Sequence, residues 1–195
     1  MAAHPLDPAE LPSLHAGAVA NTQRIVDALG SEVLGAPTPC GDWDVTDLVH
    51  HLVYGNLWVS PLVAGETIDE VGDRFEGDIL GDDISGAFRD SAALAVAAFA
   101  APAAMEALCP VSYGPVPGSV YCGHRFVDVL VHGWDLAAAA DLGPALPADL
   151  VEACIEVVLP QAEMLAGSGL FGSGADPGPA ADQQRRLLTL LGRAV

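Results

Sequence analysis

Apolar residues return every three or four positions through most of the chain, and each run is bounded by proline, glycine or an acid that can cap a helix. Leu14, Ala18, Thr22, Ile25 and Leu29 predict a first helix, opening at Asp7-Pro8-Ala9-Glu10 or at Pro12 and ended by Gly30. A loop from Gly35 to Trp43, stiffened by Pro37 and Pro39, leads to Asp44 and Asp47. These two acids read as a capping box for a second helix from Val45 to about Val59, whose apolar face is Val45, Leu48, Val49 and Leu52. Residues 64–83 are acidic and glycine-rich, which predicts a solvated loop with room for a short helix. A third helix follows from about Asp83 to Ala101, stopped by Pro102. Pro110, Pro115 and Pro117 make the segment from Cys109 to Gly118 an extended loop or a short strand pair. A fourth helix is expected from Ser119 to Ala140, and another from about Pro147 to Leu165 with a kink at Pro160. A linker over Gly167 to Pro179 and a short helix from Gln183 to Leu191 close the chain. With no internal repeat and no β-rich run, the pattern predicts an all-α protein, one domain over residues 1–195 built on four long helices.

The fourth helix breaks its own apolar pattern. Asp128, His132 and Asp135 stand at i, i+4 and i+7 within Phe126, Val127, Val129, Leu130 and Val131, and at the helical repeat they share one stripe. Buried polar groups without partners cost a few kcal/mol each, so the stripe requires something to satisfy it. On the second helix His51 lies about 60° from Leu48, at the edge of the apolar face, while His50 points away. His51, Asp128 and His132 would then form a site of two histidines and one carboxylate, a donor set suited to a zinc-type ion with one position left open. The plainer alternative is an i,i+4 ion pair at the surface and a lone histidine at the core edge. Asp135 is the candidate to accept the second imidazole N–H of His132, or to act as a base. His124, one turn earlier, is a candidate fourth ligand. Tyr121 and Arg125 either grip a substrate or are solvated at the surface, and Trp43, Trp58 and Trp134 are expected to pack the core.

Composition narrows the partners. The 195 residues carry a formal net charge of −19, with seven arginines and no lysine, which argues against nucleic acid and anionic membranes as partners and excludes a Schiff-base lysine. No run of about 18 uninterrupted apolar residues predicts a membrane span, and the N-terminus lacks the basic and apolar regions of a signal peptide, so a cytosolic protein is expected. Cys40, Cys109, Cys122 and Cys154 are widely spaced and are expected to be four buried, reduced thiols.

The run Thr38-Pro39-Cys40-x-x-Trp43-Asp44-Val45-x-Asp47-Leu48-x-x-His51, followed by Asp128-x-x-x-His132-Gly133-Trp134-Asp135-Leu136-Ala137, resembles the actinobacterial metal-binding branch of the DinB-like superfamily. Phe171-Gly172 with Arg186-Leu187-Leu188-x-Leu190-Leu191-Gly192-Arg193 is similar to that branch's closing motif. The resemblance implies a DinB-like four-helix bundle with extra C-terminal helices and extended loops, holding a divalent metal, zinc or nickel, at His51, Asp128 and His132. The superfamily includes mycothiol-dependent maleylpyruvate isomerase and thiol-dependent S-transferases, so a low-molecular-weight thiol is the implied cofactor and a small molecule the implied substrate. The isomerase has Glu where this chain has Asp128, and it carries a further C-terminal domain with a substrate-binding arginine that has no counterpart up to Val195. Activity on maleylpyruvate itself is therefore not expected. Thiol-dependent transfer or isomerisation leads, with metal-dependent hydrolysis, elimination or cyclisation second and a non-enzymatic metal- or ligand-binding protein third. A homodimer is compatible with each.

Overall fold

The computed structural model describes residues 6–161 and 181–195. Each long helix starts where the local chemistry allows it. Helix α1 (Leu11–Val26) follows a 3-10 turn at Pro8–Glu10 and has Pro12 in its first turn, the later of the two expected starts. It ends at Val26, before Gly30 is reached. Helix α2 (Val45–Leu57) opens on the expected capping box: the Asp47 N–H donates to Asp44 Oδ1 at 2.9 Å and the Asp44 N–H to Asp47 Oδ2 at 3.2 Å. It is shorter than predicted, because the chain re-forms at Val59 as α3 (Val59–Val63). The acidic segment holds one short helix, α4 (Ile68–Val71), opened by a second capping box between Thr67 and Glu70.

Helix α5 (Ile84–Phe99) is capped by Asp83, whose side chain accepts the Gly86 N–H. The proline-rich segment forms a hairpin of β1 (Leu108–Val111) and β2 (Gly114–Pro117), antiparallel with Cys109 opposite Val116. Helix α6 (Gly118–Ala139) follows directly. Gly118 is obligatory at that junction, since a Cβ there would lie 1.8 Å from the Ala104 carbonyl oxygen.

Residues 8–144 form one compact unit. Within it α1 packs on α6 and α5, while α2 packs on the same two helices, so the four close a ring around Leu48, Leu52, Phe88, Phe99, Phe126 and Leu130. Fully burying each such side chain is worth about 1.5–3 kcal/mol. The α1–α6 contact is close: Thr22 Oγ1 donates to the Val129 carbonyl at 2.9 Å, and a Cβ on Gly133 would lie 2.3 Å from Thr22 Oγ1.

Among the described residues the second unit comprises 6–7, 145–161 and 181–195. Its α7 (Ala148–Val158) packs on α8 (Gln183–Leu190), and the Leu146 N–H donates to Gln184 Oε1 at 2.7 Å. Pro160 falls in a 3-10 turn, Leu159–Gln161, which directly follows the last α-helical residue, Val158. Leu165, the linker from Gly167 to Pro179 and Phe171-Gly172 lie outside the described residues.

All four cysteines are reduced, but only Cys109, Cys122 and Cys154 are buried. Burial pushes the Cys122 and Cys154 thiols up to about 12. Cys40 departs from the expectation because its loop lies at the rim of the bundle, half exposed. Among the described residues no helix is long and apolar enough to cross a membrane.

Candidate metal centre

Helix α6 is buried on most of its circumference, so the charged groups on it must find partners within the protein. Arg125, Asp128, His132 and Asp135 follow one another at intervals of three, four and three residues and lie along one side of the helix. The two oxygens of Asp128 are used differently. Oδ2 accepts from Arg125 Nη1 at 2.6 Å, whereas Oδ1 lies 3.1 Å from His51 Nε2 and 3.4 Å from His132 Nε2. The His51 and His132 rings stand edge to face, their centroids 5.0 Å apart.

The far side of His132 is also occupied. Its Nδ1 is 2.9 Å from Oδ2 of Asp135, a carboxylate with no exposed surface, and Cys40 Sγ donates to the same oxygen at 3.0 Å. Cys40 arrives from the loop before α2, and that loop is held by its own bonds. Pro37 bridges to Asp44, Thr38 Oγ1 donates to the Trp43 carbonyl at 2.9 Å, and the Cys40 N–H donates to Thr38 Oγ1 at 3.1 Å. The same loop lays Trp43 over the site, 4.9 Å from the His51 ring and 6.3 Å from that of His132, with the indole 39% exposed.

Behind Asp128, Arg125 is almost fully buried. Its Nη2 donates to Asn56 Oδ1 at 3.0 Å and to the Leu52 carbonyl at 3.4 Å. The guanidinium fits because residue 55 is glycine: a Cβ there would lie 2.2 Å from Nη1. The Asn56 amide is itself fixed by donation to Ser91 Oγ of α5 at 3.4 Å.

These contacts set the protonation of the pair. Burial opposes the charge on Asp128, but Arg125, then His132, and the hydrogen bonds from His132 and His51 outweigh it and hold the carboxyl well below the usual carboxylate range. Burial likewise opposes the charge on His132, yet Asp128, with hydrogen bonds to Asp128, Asp135 and Cys40, raises it well above the usual histidine range.

The donor set has the dimensions a metal ion needs. Ligand atoms about 2.1 Å from a tetrahedral ion are about 3.4 Å from one another. Here His51 Nε2 and His132 Nε2 flank Asp128 Oδ1 at 3.1 and 3.4 Å, and all three atoms lie within 4.8 Å of each other. A second group, Cys40, His132 and Asp135, is equally close: both of its other members donate to the Asp135 carboxylate, and Cys40 Sγ lies 3.4 Å from His132 Nδ1.

Sequence spacing had pointed to His51, Asp128, His132 and Asp135, and the fold brings all four together. His124 is elsewhere, its Nδ1 2.5 Å from the Tyr113 hydroxyl. Tyr121 and Arg125 are both buried, which excludes the surface-solvated alternative for them. The Tyr121 hydroxyl is pushed up to about 12 by burial. Trp43, expected in the core, lies at the site instead. Cys40, Asn56 and the structural use of Arg125 were missed, although Arg125 three residues before Asp128 on a helix is a pairing signal.

Comparison with known proteins agrees with this architecture. Two uncharacterized proteins of Mycobacterium tuberculosis, Rv0738 of strain H37Rv and MT0763 of strain CDC 1551, are each 37% identical to the chain, covering 89% of it and 96% of their own length. The crystal structure of the mycothiol-dependent maleylpyruvate isomerase superposes with a TM-score of 0.62 over 83% of this chain and 70% of the isomerase, at 17% identity. A histidine-to-alanine mutant of that enzyme matches equally well, and at such identity both establish the fold alone. The family model described as the mycothiol maleylpyruvate isomerase N-terminal domain matches residues 15–137. That span takes in Cys40, His51, Arg125, Asp128, His132 and Asp135 in their order along the chain, and the protein belongs to this family.

Proposed function

We propose that this protein is a metal-dependent enzyme that uses a low-molecular-weight thiol of the mycothiol type to isomerise, or transfer the thiol to, a small electrophilic metabolite. The observation that carries the proposal is the convergence of His51 Nε2, Asp128 Oδ1 and His132 Nε2 from two helices on one point. Those three residues would hold a divalent ion, zinc or nickel, whose Lewis acidity keeps a coordinating thiol deprotonated at neutral pH.

The rest of the site serves that arrangement. Asp135 accepts from His132 Nδ1 and so fixes the ring with Nε2 toward the ligand cluster. Trp43 packs on His51 and covers one side of the site, limiting access of water. Family membership supports the thiol, and the cluster supports the metal.

The test begins with elemental analysis of protein purified without an affinity metal column. Turnover is then measured with mycothiol and a set of small electrophiles. Stoichiometric metal and thiol-dependent turnover are expected for the wild type, with both lost in His51→Ala and His132→Ala. Full metal content in both variants would sink the site assignment, and metal without any thiol-dependent turnover would reduce the protein to a metal carrier.

A further inference from the structure

We infer that Arg125 is a positioning residue that makes the centre select an anionic ligand over a neutral one. The inference rests on the proposed metal site and concerns what that site accepts. The cradle for Arg125 is built for the purpose. Nη1 reaches Asp128 Oδ2 at 2.6 Å, Nη2 reaches Asn56 Oδ1 at 3.0 Å and the Leu52 carbonyl at 3.4 Å, and Gly55 leaves the room that any side chain would fill. A buried arginine is retained only with such partners. Because Oδ2 is committed to Arg125, only Oδ1 faces the two imidazoles.

Charge then decides the ligand. A divalent ion, the Asp128 and Asp135 carboxylates and the Arg125 guanidinium sum to a single positive charge, which one monoanion neutralises. Without the guanidinium the same cluster is already neutral, and an anion would enter a centre with no charge to meet it. The surroundings offer no substitute, since the chain carries a formal net charge of −19 and no lysine. At roughly 6 Å and an effective dielectric of about 20–40, one charge changes anion affinity about ten-fold or more. A thiolate, a carboxylate or an enolate meets the requirement, whereas a neutral amine or an alcohol does not.

The experiment uses the full chain loaded with Co²⁺ and follows the visible spectrum during titration with azide, an anionic probe, and with imidazole, a neutral one. Arg125→Gln removes the charge. Asn56→Asp keeps the guanidinium and the side-chain volume, gives up the amide's donation to Ser91 Oγ, and neutralises the charge through its other arm. Both variants are expected to bind azide about ten-fold or more weakly than the wild type, with imidazole affinity unchanged or higher. A purely structural role would weaken both probes together, and that result overturns the inference, as does unchanged azide affinity in Asn56→Asp. If Arg125→Gln fails to fold, Asn56→Asp decides alone. Cobalt binding that survives His51→Ala would defeat the site and the inference with it, whereas loss of cobalt in His51→Ala with unaltered probe selectivity in Asn56→Asp defeats the inference only.

Discussion

His51→Ala and Asp128→Asn both remove a proposed metal ligand, yet they should differ sharply in metal-free protein. His51 is one-third exposed, and besides ring packing on Trp43 and His132 it makes one polar contact, 3.1 Å to Asp128, an ion pair of the kind worth about 0–1 kcal/mol. Asp128 is the partner of an arginine whose side chain is only 9% exposed. Removing one member of a buried pair costs about 3–5 kcal/mol, and with Asp128 a quarter exposed the lower end, about 3 kcal/mol, applies. For a protein of this size each kcal/mol moves Tm by about 2–4 °C. In EDTA-treated samples Asp128→Asn should therefore melt about 6–12 °C below wild type, and His51→Ala by no more than about 4 °C. Added zinc acts in the opposite sense. At a free concentration of 100 times Kd it stabilises by about 2.7 kcal/mol, which should raise the wild-type Tm by about 5–11 °C and leave both variants unmoved. Calorimetric or far-ultraviolet melts with EDTA and with zinc read both quantities. A zinc-induced rise retained by His51→Ala would refute the metal assignment, and equal metal-free Tm values for the two variants would refute the dependence of Arg125 on Asp128.

Three further outcomes are expected. A chromogenic disulfide reagent should titrate Cys40 in native protein and reach Cys109, Cys122 and Cys154 only on unfolding; early reaction of a second thiol would contradict their burial. His15 is fully buried with both ring nitrogens unpartnered among the described residues, and burial, with Arg125 adding to it, lowers its pKa from 6.5 to about 3. A depressed histidine contributes its full stability above 6.5 and loses it as pH falls, because the unfolded chain takes up a proton that the folded one refuses. At pH 5 the loss is about 2 kcal/mol, measurable by urea denaturation at pH 7.5 and pH 5, and His15→Gln should abolish that part of the pH dependence. Gly133→Ala drives a Cβ against Thr22 Oγ1 and should cost about 1–3 kcal/mol; in a Thr22→Ala background the penalty should shrink, and strict additivity would contradict the close contact.

What the sequence disclosed and what it concealed divide along a physical line. The start of α2 followed from Asp44 and Asp47, two residues that satisfy each other's backbone within one turn, and His51 then took its orientation from the helical repeat seven residues after the cap. Asp128, His132 and Asp135 were legible for the same reason, as they interrupt an apolar face at intervals that only a helix makes adjacent. Arg125 was misjudged because its fate depends on residues 69 and 73 positions away, Asn56 and Leu52, which supply acceptors only when α2 and α6 are packed in one register. Nothing local separates such an arginine from a solvated one, and the most telling residue, Gly55, has no side chain with which to announce itself. Cys40 was concealed in the same way, since its contact with Asp135 spans 95 positions and depends on a loop shape fixed by Thr38 and Trp43. Short-range bonds thus set where the ligands point and pair Arg125 with Asp128, while the acceptors that hold Arg125 in the core are long-range. It follows that sequences sharing the Asp44, His51 and Asp128-x-x-x-His132 pattern while replacing Gly55, Asn56 or Arg125 would keep the ligand geometry and change which ligands the centre accepts.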